Sequence, residues 1–118
     1  MQLKTLSTSR YNSTNAVAYV QPSGTTKAIF GYGYSSANVS ITNLVSNTGV
    51  VATDTTGVGT ARNSLAASTY GNDKAIFGYG YISVQVSMTN LVSNTGVVAT
   101  DTTGVGTAIW FSSSCVWH

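Results

Sequence analysis

The sequence predicts an all-β protein built from four-stranded antiparallel units, and three observations lead to that prediction. Residues 27–61 recur as residues 74–108, and 31 of these 35 aligned positions are identical. Within each copy, apolar residues alternate with polar or glycine residues at the two-residue period of a β-strand. Glycine and asparagine separate these stretches at turn-like spacings. Because the repeat is so faithful, we expect one structural unit that is used twice.

Four strands are predicted for each unit, and the second copy shows them most clearly. Residues 74–81 alternate strictly, residues 86–92 are rich in β-branched side chains, and Asn94 to Gly96 form a turn signal. The side chains that alternation places on one face of the first of these strands are Ala75, Phe77, Tyr79 and Tyr81. The four predicted strands, in chain order, are residues 64–69, 74–81, 86–92 and 97–101.

The repeat divides the chain into four segments. Residues 16–20 match the strand that lies between the copies, and residues 110–117 occupy the register of residues 63–70. The chain therefore holds about two units and an extra strand. A truncated piece of a longer array is the alternative, because the repeat stops abruptly at Ile109. The segments are an N-terminal segment with a partial unit strand (1–26), repeat 1 (27–73), repeat 2 (74–108) and a C-terminal strand outside the pattern (109–118).

Units of this kind need neighbours, because one four-stranded sheet leaves apolar faces and edges uncovered. Radial packing into a β-propeller of 4 to 8 blades covers them, and propeller repeats run at about 40 to 50 residues. Two blades cannot close a ring, so we expect oligomerisation to complete it. Such head-to-tail contacts either close into a ring or continue as a filament. An end strand of one chain could complete the sheet of the next.

The order of motifs resembles the kelch repeat. Residues 59–62 read Gly-Thr-Ala-Arg, residues 65–67 read Leu-Ala-Ala, and residues 70–80 run through a turn into an aliphatic and aromatic strand with glycines at its end. In kelch repeats an arginine precedes a small-residue strand, a turn follows, and the next strand ends in two glycines. The resemblance covers residues 10–108. It implies a non-enzymatic propeller module.

Several positions depart from the kelch pattern. Tyr32 and Tyr79 split the double glycine, the tryptophan expected before the arginine is missing, and Ile109 replaces the arginine at its third occurrence. Kelch-like propellers are usually six-bladed, so the resemblance favours a trimer of two-blade chains. The near-identical copies are also similar to repeat arrays of phage tail-fibre and metagenomic proteins, which implies a virion or tail-fibre component.

Composition argues against several classes of partner. Charged residues make up 7% of the chain and the formal net charge is +2, too little to indicate a nucleic-acid partner. The N-terminal region has no signal-peptide core, and its longest apolar stretch, residues 16–20, is far too short to cross a bilayer. Cys115 is the single cysteine, so no internal disulfide is expected. We therefore expect neither nucleic acid nor membrane as a partner.

The titratable residues do not predict catalysis. Cys115 and His118 lack an orienting third group, and no catalytic residue, cofactor site or metal ligand is assigned. Asp54 and Asp101 occupy the same position in the two copies, where each is expected to cap the Thr-Thr-Gly backbone that follows. A calcium site made by several copies in a ring is the alternative. Arg10 and Arg62 are expected to be structural, held by backbone carbonyls between units.

Two functions stay open: a structural module that assembles with itself, and a carbohydrate- or protein-binding propeller of lectin-like character. Aromatic side chains could stack on sugars, or they could simply pack between units. The copies differ only within residues 35–41 and 82–88. An exposed variable segment would favour binding, whereas a buried one would favour assembly. Candidate contacts to a ligand or between units are Tyr32, Tyr34, Tyr79, Tyr81, Arg62, Asp54 and Asp101.

Overall fold

The computed structural model describes residues 26–117, and every regular element within that range is a β-strand. The predicted all-β class is therefore confirmed. Residues 1–25, which contain Arg10 and the strand predicted at 16–20, lie outside the described residues, as does His118. The strands are β1 (Ala28–Tyr34), β2 (Asn38–Val45), β3 (Ala66–Tyr70), β4 (Lys74–Gly78) and β5 (Thr89–Val92).

Two antiparallel sheets contain these strands. Sheet 1 pairs β1 with β2, and sheet 2 has the order β3-β4-β5. A short segment continues each sheet, since Val51 bridges to Val45 in sheet 1 and Val98 bridges to Val92 in sheet 2. Sheet 2 therefore has three strands in the predicted order, and Val98 adds a single bridge where the sequence predicts the fourth strand, at residues 97–101. The four-stranded unit expected in each copy is not formed within residues 26–117, since sheet 1 has two strands and the equivalent bridge. Neither sheet closes into a barrel among the described residues.

A serine-centred turn joins β2, and likewise β5, to the bridging segment that follows. The Ser46 hydroxyl accepts hydrogen bonds from the backbone N–H groups of Thr48 and Val50, at 3.3 and 3.1 Å. Gly49 completes the turn at φ +85°, a conformation that disfavours residues with a Cβ. Repeat 2 forms the same turn at residues 93–97. The Asn-Thr-Gly turn signal is therefore confirmed.

The strict alternation expected along residues 74–81 is wrong beyond Gly78. Tyr79 has φ +63° and its equivalent Tyr32 has φ +62°, so each turns out of the strand ladder. In sheet 1 the register shifts between Gly31 and Gly33 for this reason. The shift reverses the side that the tyrosine faces: Phe30 is exposed while Tyr32, two residues later, is buried.

The C-terminal strand expected over residues 109–118 forms a single bridge, between Ile109 and Val86. Residues 110–117 form no strand, although the N–H of Phe111 donates to the carbonyl of Ser64 at 2.9 Å. The hydroxyl of Ser114 also donates a hydrogen bond to the carbonyl of Ala67.

The buried apolar cluster lies between the two repeats rather than inside either sheet. Tyr32 comes from repeat 1, whereas Phe77, Val92 and Val98 come from repeat 2. The half-buried side chains around them are drawn from both sides: Ile29, Val58, Leu65 and Ala75. Each repeat therefore buries its apolar surface against the other copy, as expected for units that cannot form a core alone.

Candidate functional site

The contact between the two repeats is the best-formed site of the described chain, and we call it the junction. It has one face from each repeat. The docking face of repeat 1 is Gly31, Tyr32, Leu44, Val58, Gly59 and Thr60. The receiving face of repeat 2 is Phe77, Asn90, Val92, Gly96, Val98 and Asp101.

The apolar centre of the junction is an aromatic pair. The rings of Tyr32 and Phe77 meet edge to face, with centroids 5.2 Å apart and planes at 70°. Gly31 allows this approach, since a Cβ there would lie 2.9 Å from Cζ of Phe77. The Tyr32 hydroxyl donates to the carbonyl of Val58 at 2.8 Å, which holds residues 57–62 against the sheet. Shape and one hydrogen bond thus fix the aromatic contact.

A polar cluster beside this pair centres on Asp101. The backbone N–H and the hydroxyl of Thr60 donate to the Asp101 carboxylate at 3.1 and 2.6 Å. From its own sheet, Asn90 donates to the same carboxylate at 2.9 Å and to the carbonyl of Ala99 at 3.1 Å. Asn90 is fully buried, and these bonds satisfy its amide nitrogen, whereas its Oδ1 has no partner among the described residues.

Arg62 joins the two sheets from the chain segment between them. It is fully buried. Its Nε donates to the carbonyl of Tyr79 at 2.7 Å, and Nη1 donates to the carbonyl of Thr60 at 3.1 Å. The guanidinium carbon lies 4.7 Å from the centroid of the Tyr32 ring, a cation–π contact. Nη2 has no partner among the described residues.

Burial shifts the pKa values of Arg62 and Tyr32. Removal from water lowers the pKa of Arg62, although the nearby Tyr32 and Asp101 partly oppose that effect. Burial likewise raises the pKa of Tyr32, and the Arg62 charge partly opposes that rise. Tyr32 is therefore neutral at ordinary pH, and its hydroxyl hydrogen is available for the Val58 carbonyl.

The other candidate residues from the sequence are dispersed. Tyr34 is exposed and Tyr79 is half-buried, while Tyr81 stacks on Trp110 with ring centroids 4.5 Å apart. Asp54 is exposed and accepts a hydrogen bond from Asn43 at 2.8 Å. The expectation that the aspartates cap the following Thr-Thr-Gly backbone is wrong: among the described residues their side-chain partners are asparagine and, for Asp101, Thr60.

Sequence reasoning missed the asparagine and threonine of the polar cluster. Asn43 and Asn90 stand 11 residues before Asp54 and Asp101, in both copies. Bridges between β5 and the segment after it bring such a pair side by side. That spacing is the signal that could have identified the Asn–Asp pair. Nothing in the sequence indicates that Thr60 of one copy reaches Asp101 of the other.

Acid should weaken the junction through Asp101. Burial, the largest single influence, raises the pKa of Asp101, but hydrogen bonds from Thr60 and Asn90 together outweigh it and hold the pKa below its ordinary value of 3.8. A carboxylate with a lowered pKa stabilises the fold above its unfolded pKa, and that contribution is lost as pH falls through the folded value. We expect the free energy of unfolding to drop below pH 3.8.

Thr60→Val should weaken this acid response, because it removes one bond that lowers the pKa. Urea unfolding measured from pH 6 to pH 2 would show it as a smaller change of stability across that range, together with a raised Asp101 pKa by NMR titration. Asn94 and Lys74 lower the pKa of Asp73, so Asp73 also makes stability depend on pH, equally in the parent protein and in the variant. Thr107→Val, at the equivalent position, is the control, and both variants are measured in protein dilute enough to be monomeric. Equal effects of the two variants would contradict the Thr60–Asp101 contact.

Gly59 offers a matched pair of substitutions with Gly106. Their φ angles are +79° and +84°, so alanine is equally strained at either position. A Cβ on Gly59 would lie 2.5 Å from Oδ1 of Asp101 and 2.6 Å from Nδ2 of Asn90, whereas Gly106 has nothing within 4 Å. We expect Gly59→Ala to lower the free energy of unfolding by about 2 kcal/mol more than Gly106→Ala does. Chemical denaturation of protein dilute enough to be monomeric measures this difference, and equal losses would contradict it.

The variable segments have exposed tips. Residues 35–37 and 82–85 are exposed, while residues 38–40 and 86–88 are half-buried. Because an exposed variable segment favours binding, ligand binding is kept as a second candidate function. Near one tip, Trp110 lies between Tyr81 and Phe111, and the Trp110–Phe111 centroids are 4.9 Å apart.

No cluster of three or more His, Cys, Asp or Glu side chains suited to a metal ion occurs in residues 26–117. The same range contains no helix of the length and apolar character needed to cross a membrane.

Comparison with protein-family models, with curated proteins and with solved structures finds no match. The kelch resemblance therefore stays a prediction from the sequence.

Proposed function

We propose that this protein is a non-enzymatic structural module whose repeats are completed by docking on one another. One observation carries the proposal: the buried apolar cluster lies between repeats, so the junction is the core. Many large apolar side chains are exposed in the described chain, including Phe30, Val51 and Val105. Exposed apolar surface on this scale is typical of an interaction surface.

The proposal extends to the assembly. Kelch-like blades arranged around an axis would make a ring from three chains, and an open version of the same contact would make a filament. A virion or tail-fibre component is the setting that suits such an array. The support is the near identity of the copies, the low charge and the interlocked junction.

Light scattering behind a sizing column tests self-assembly directly. We expect species heavier than the 12.2 kDa chain, with a discrete mass of three chains for a ring or a broad range for a filament. The measurement should cover protein concentrations from about micromolar to millimolar, since contacts of modest area are weak. A single 12.2 kDa species throughout would contradict self-assembly.

Carbohydrate or protein binding is the second candidate, and the aromatic cluster favours it. Trp110 and Phe111 are exposed, and Tyr81 stacks against Trp110. Flat exposed rings are suited to the apolar face of a sugar. The neighbouring tip at residues 82–85 differs between the copies, as recognition loops do.

Tryptophan fluorescence titration with neutral oligosaccharides tests this second candidate. We expect a saturable change that Trp110→Ala removes and Trp117→Ala retains, because Trp117 makes no ring contact with another described residue. Equal responses in both variants, or no response in the parent protein, would contradict sugar binding at this cluster.

A further inference from the structure

The two repeats carry the same residues in very different environments. Phe77 is 4% exposed and Val98 is 9% exposed, because repeat 1 covers them. Their equivalents Phe30 and Val51 are 64% and 53% exposed. Among residues 26–117, a receiving face with the same residue types thus stands open on repeat 1. It consists of Phe30, Asn43, Val45, Gly49, Val51 and Asp54.

A matching docking face stands open on repeat 2. Val58 is half-buried in the junction, whereas its equivalent Val105 is 82% exposed. In repeat 1, Leu44 approaches the position of a Cβ on Gly96 to within 2.7 Å, while its equivalent Leu91 is exposed. The open docking face consists of the half-buried Tyr79 and the exposed Leu91, Val105, Gly106 and Thr107, while Gly78 beside them is buried.

We propose that these two open faces bind each other between chains, so that a second copy of this protein docks on repeat 1 as repeat 1 docks on repeat 2. Every residue of both open faces is identical to its counterpart in the junction. The junction within the chain therefore already shows how these two sets of residues pack against each other. This inference rests on the proposed self-assembly and names the surface that carries it.

The proposal assigns each contact a partner. The hydroxyl of Thr107 would donate to Asp54 of the second copy, as Thr60 donates to Asp101. Leu91 would lie over Gly49, which has nothing within 4 Å of its Cβ position. Because one face meets a different face, the contact is head to tail and adds chains in one direction.

One position differs from the internal junction and weakens the contact. Ile109 stands where Arg62 stands after repeat 1. The backbone is equivalent, since the carbonyl of Ile109 accepts from Gly80 as the carbonyl of Arg62 accepts from Gly33. An isoleucine cannot donate to the carbonyl of Tyr32 in the next chain as Arg62 does to Tyr79. Ile109→Arg should therefore tighten association, by about tenfold.

Sedimentation of the unmodified chain and three variants tests the proposal. Val51→Lys places a charge on the open receiving face and should weaken association by about tenfold or more. Val50→Lys is the control, because Val50 and its equivalent Val97 are each 65% exposed and the junction touches neither. Ile109→Arg should shift association to lower concentration. Circular dichroism confirms that each variant keeps the fold.

The outcomes separate this inference from the proposed function. The inference is supported if Val51→Lys weakens association, Val50→Lys leaves association unchanged and Ile109→Arg tightens it. Association that Val51→Lys leaves intact, or that both lysine variants weaken equally, would overturn it while self-assembly stands. A monomer in all four proteins would overturn both.

Discussion

Phe77→Ala is expected to lower the free energy of unfolding by about 3–5 kcal/mol, the usual cost of deleting a buried phenylalanine. The ring is buried between Gly31, Tyr32 and the rest of the cluster, so little can collapse into the space it leaves. Small domains are stable by only about 5–15 kcal/mol, and the variant would be close to unfolding at room temperature. Urea denaturation followed by circular dichroism measures the loss.

Phe30→Ala is the control that the repeat itself provides. It removes the same ring from the equivalent strand position, where the ring is exposed. We expect a loss of less than about 1 kcal/mol when the protein is dilute enough to be monomeric. Similar losses for both variants would mean that the two repeats bury the ring equally, which contradicts the asymmetry of the junction.

Arg62→Ala is expected to cost about 3 kcal/mol or more. Two carbonyl oxygens, of Tyr79 and Thr60, would lose their donor in a buried place, at about 1–3 kcal/mol each. The Tyr32 ring would also lose its cation–π partner and much of its cover. Chemical denaturation at neutral pH, where Arg62 is charged, measures the effect.

Lys74→Ala is the control that shows whether the loss of stability in Arg62→Ala comes from the burial of the arginine or simply from the loss of a positive charge. Lys74 also carries a positive charge, but its ion pair with Asp73 at 3.1 Å is exposed to solvent. Exposed pairs contribute about 0–1 kcal/mol, so we expect a loss of less than about 1 kcal/mol. A cost for Arg62→Ala no larger than that for Lys74→Ala would contradict the structural role of the buried arginine.

Local structure was predictable from the sequence because it depends on neighbouring residues. The sequence pattern located β3, β4 and β5, although it predicted β5 three residues too long and a further strand at residues 97–101 that does not form. The Asn-Thr-Gly signal identified the turn after β5. The error lay at Tyr79, where a positive φ interrupts an apparently regular strand. Alternation counts residues but does not detect a backbone shift, so it places the tyrosine on the face of the phenylalanine two residues earlier, although Phe30 is exposed and Tyr32 is buried.

The junction was beyond prediction for a different reason. Phe30 and Phe77 have the same sequence neighbours, and yet one is exposed and the other is buried. The difference arises from what packs against each sheet. That packing depends on the neighbouring repeat, so the sequence within one repeat does not predict it. For the same reason, Asp54 and Asp101 share one local pattern while only Asp101 receives Thr60.

A double-mutant cycle between Tyr32 and Phe77 tests most directly the claim that the core lies between repeats. Urea denaturation of Tyr32→Ala, Phe77→Ala and the double variant gives the coupling free energy of the pair. Because the rings touch across the junction, we expect coupling of about 0.5–1.5 kcal/mol beyond additivity. Losses that add within about 0.3 kcal/mol would show that the repeats do not meet there, and would contradict the shared core.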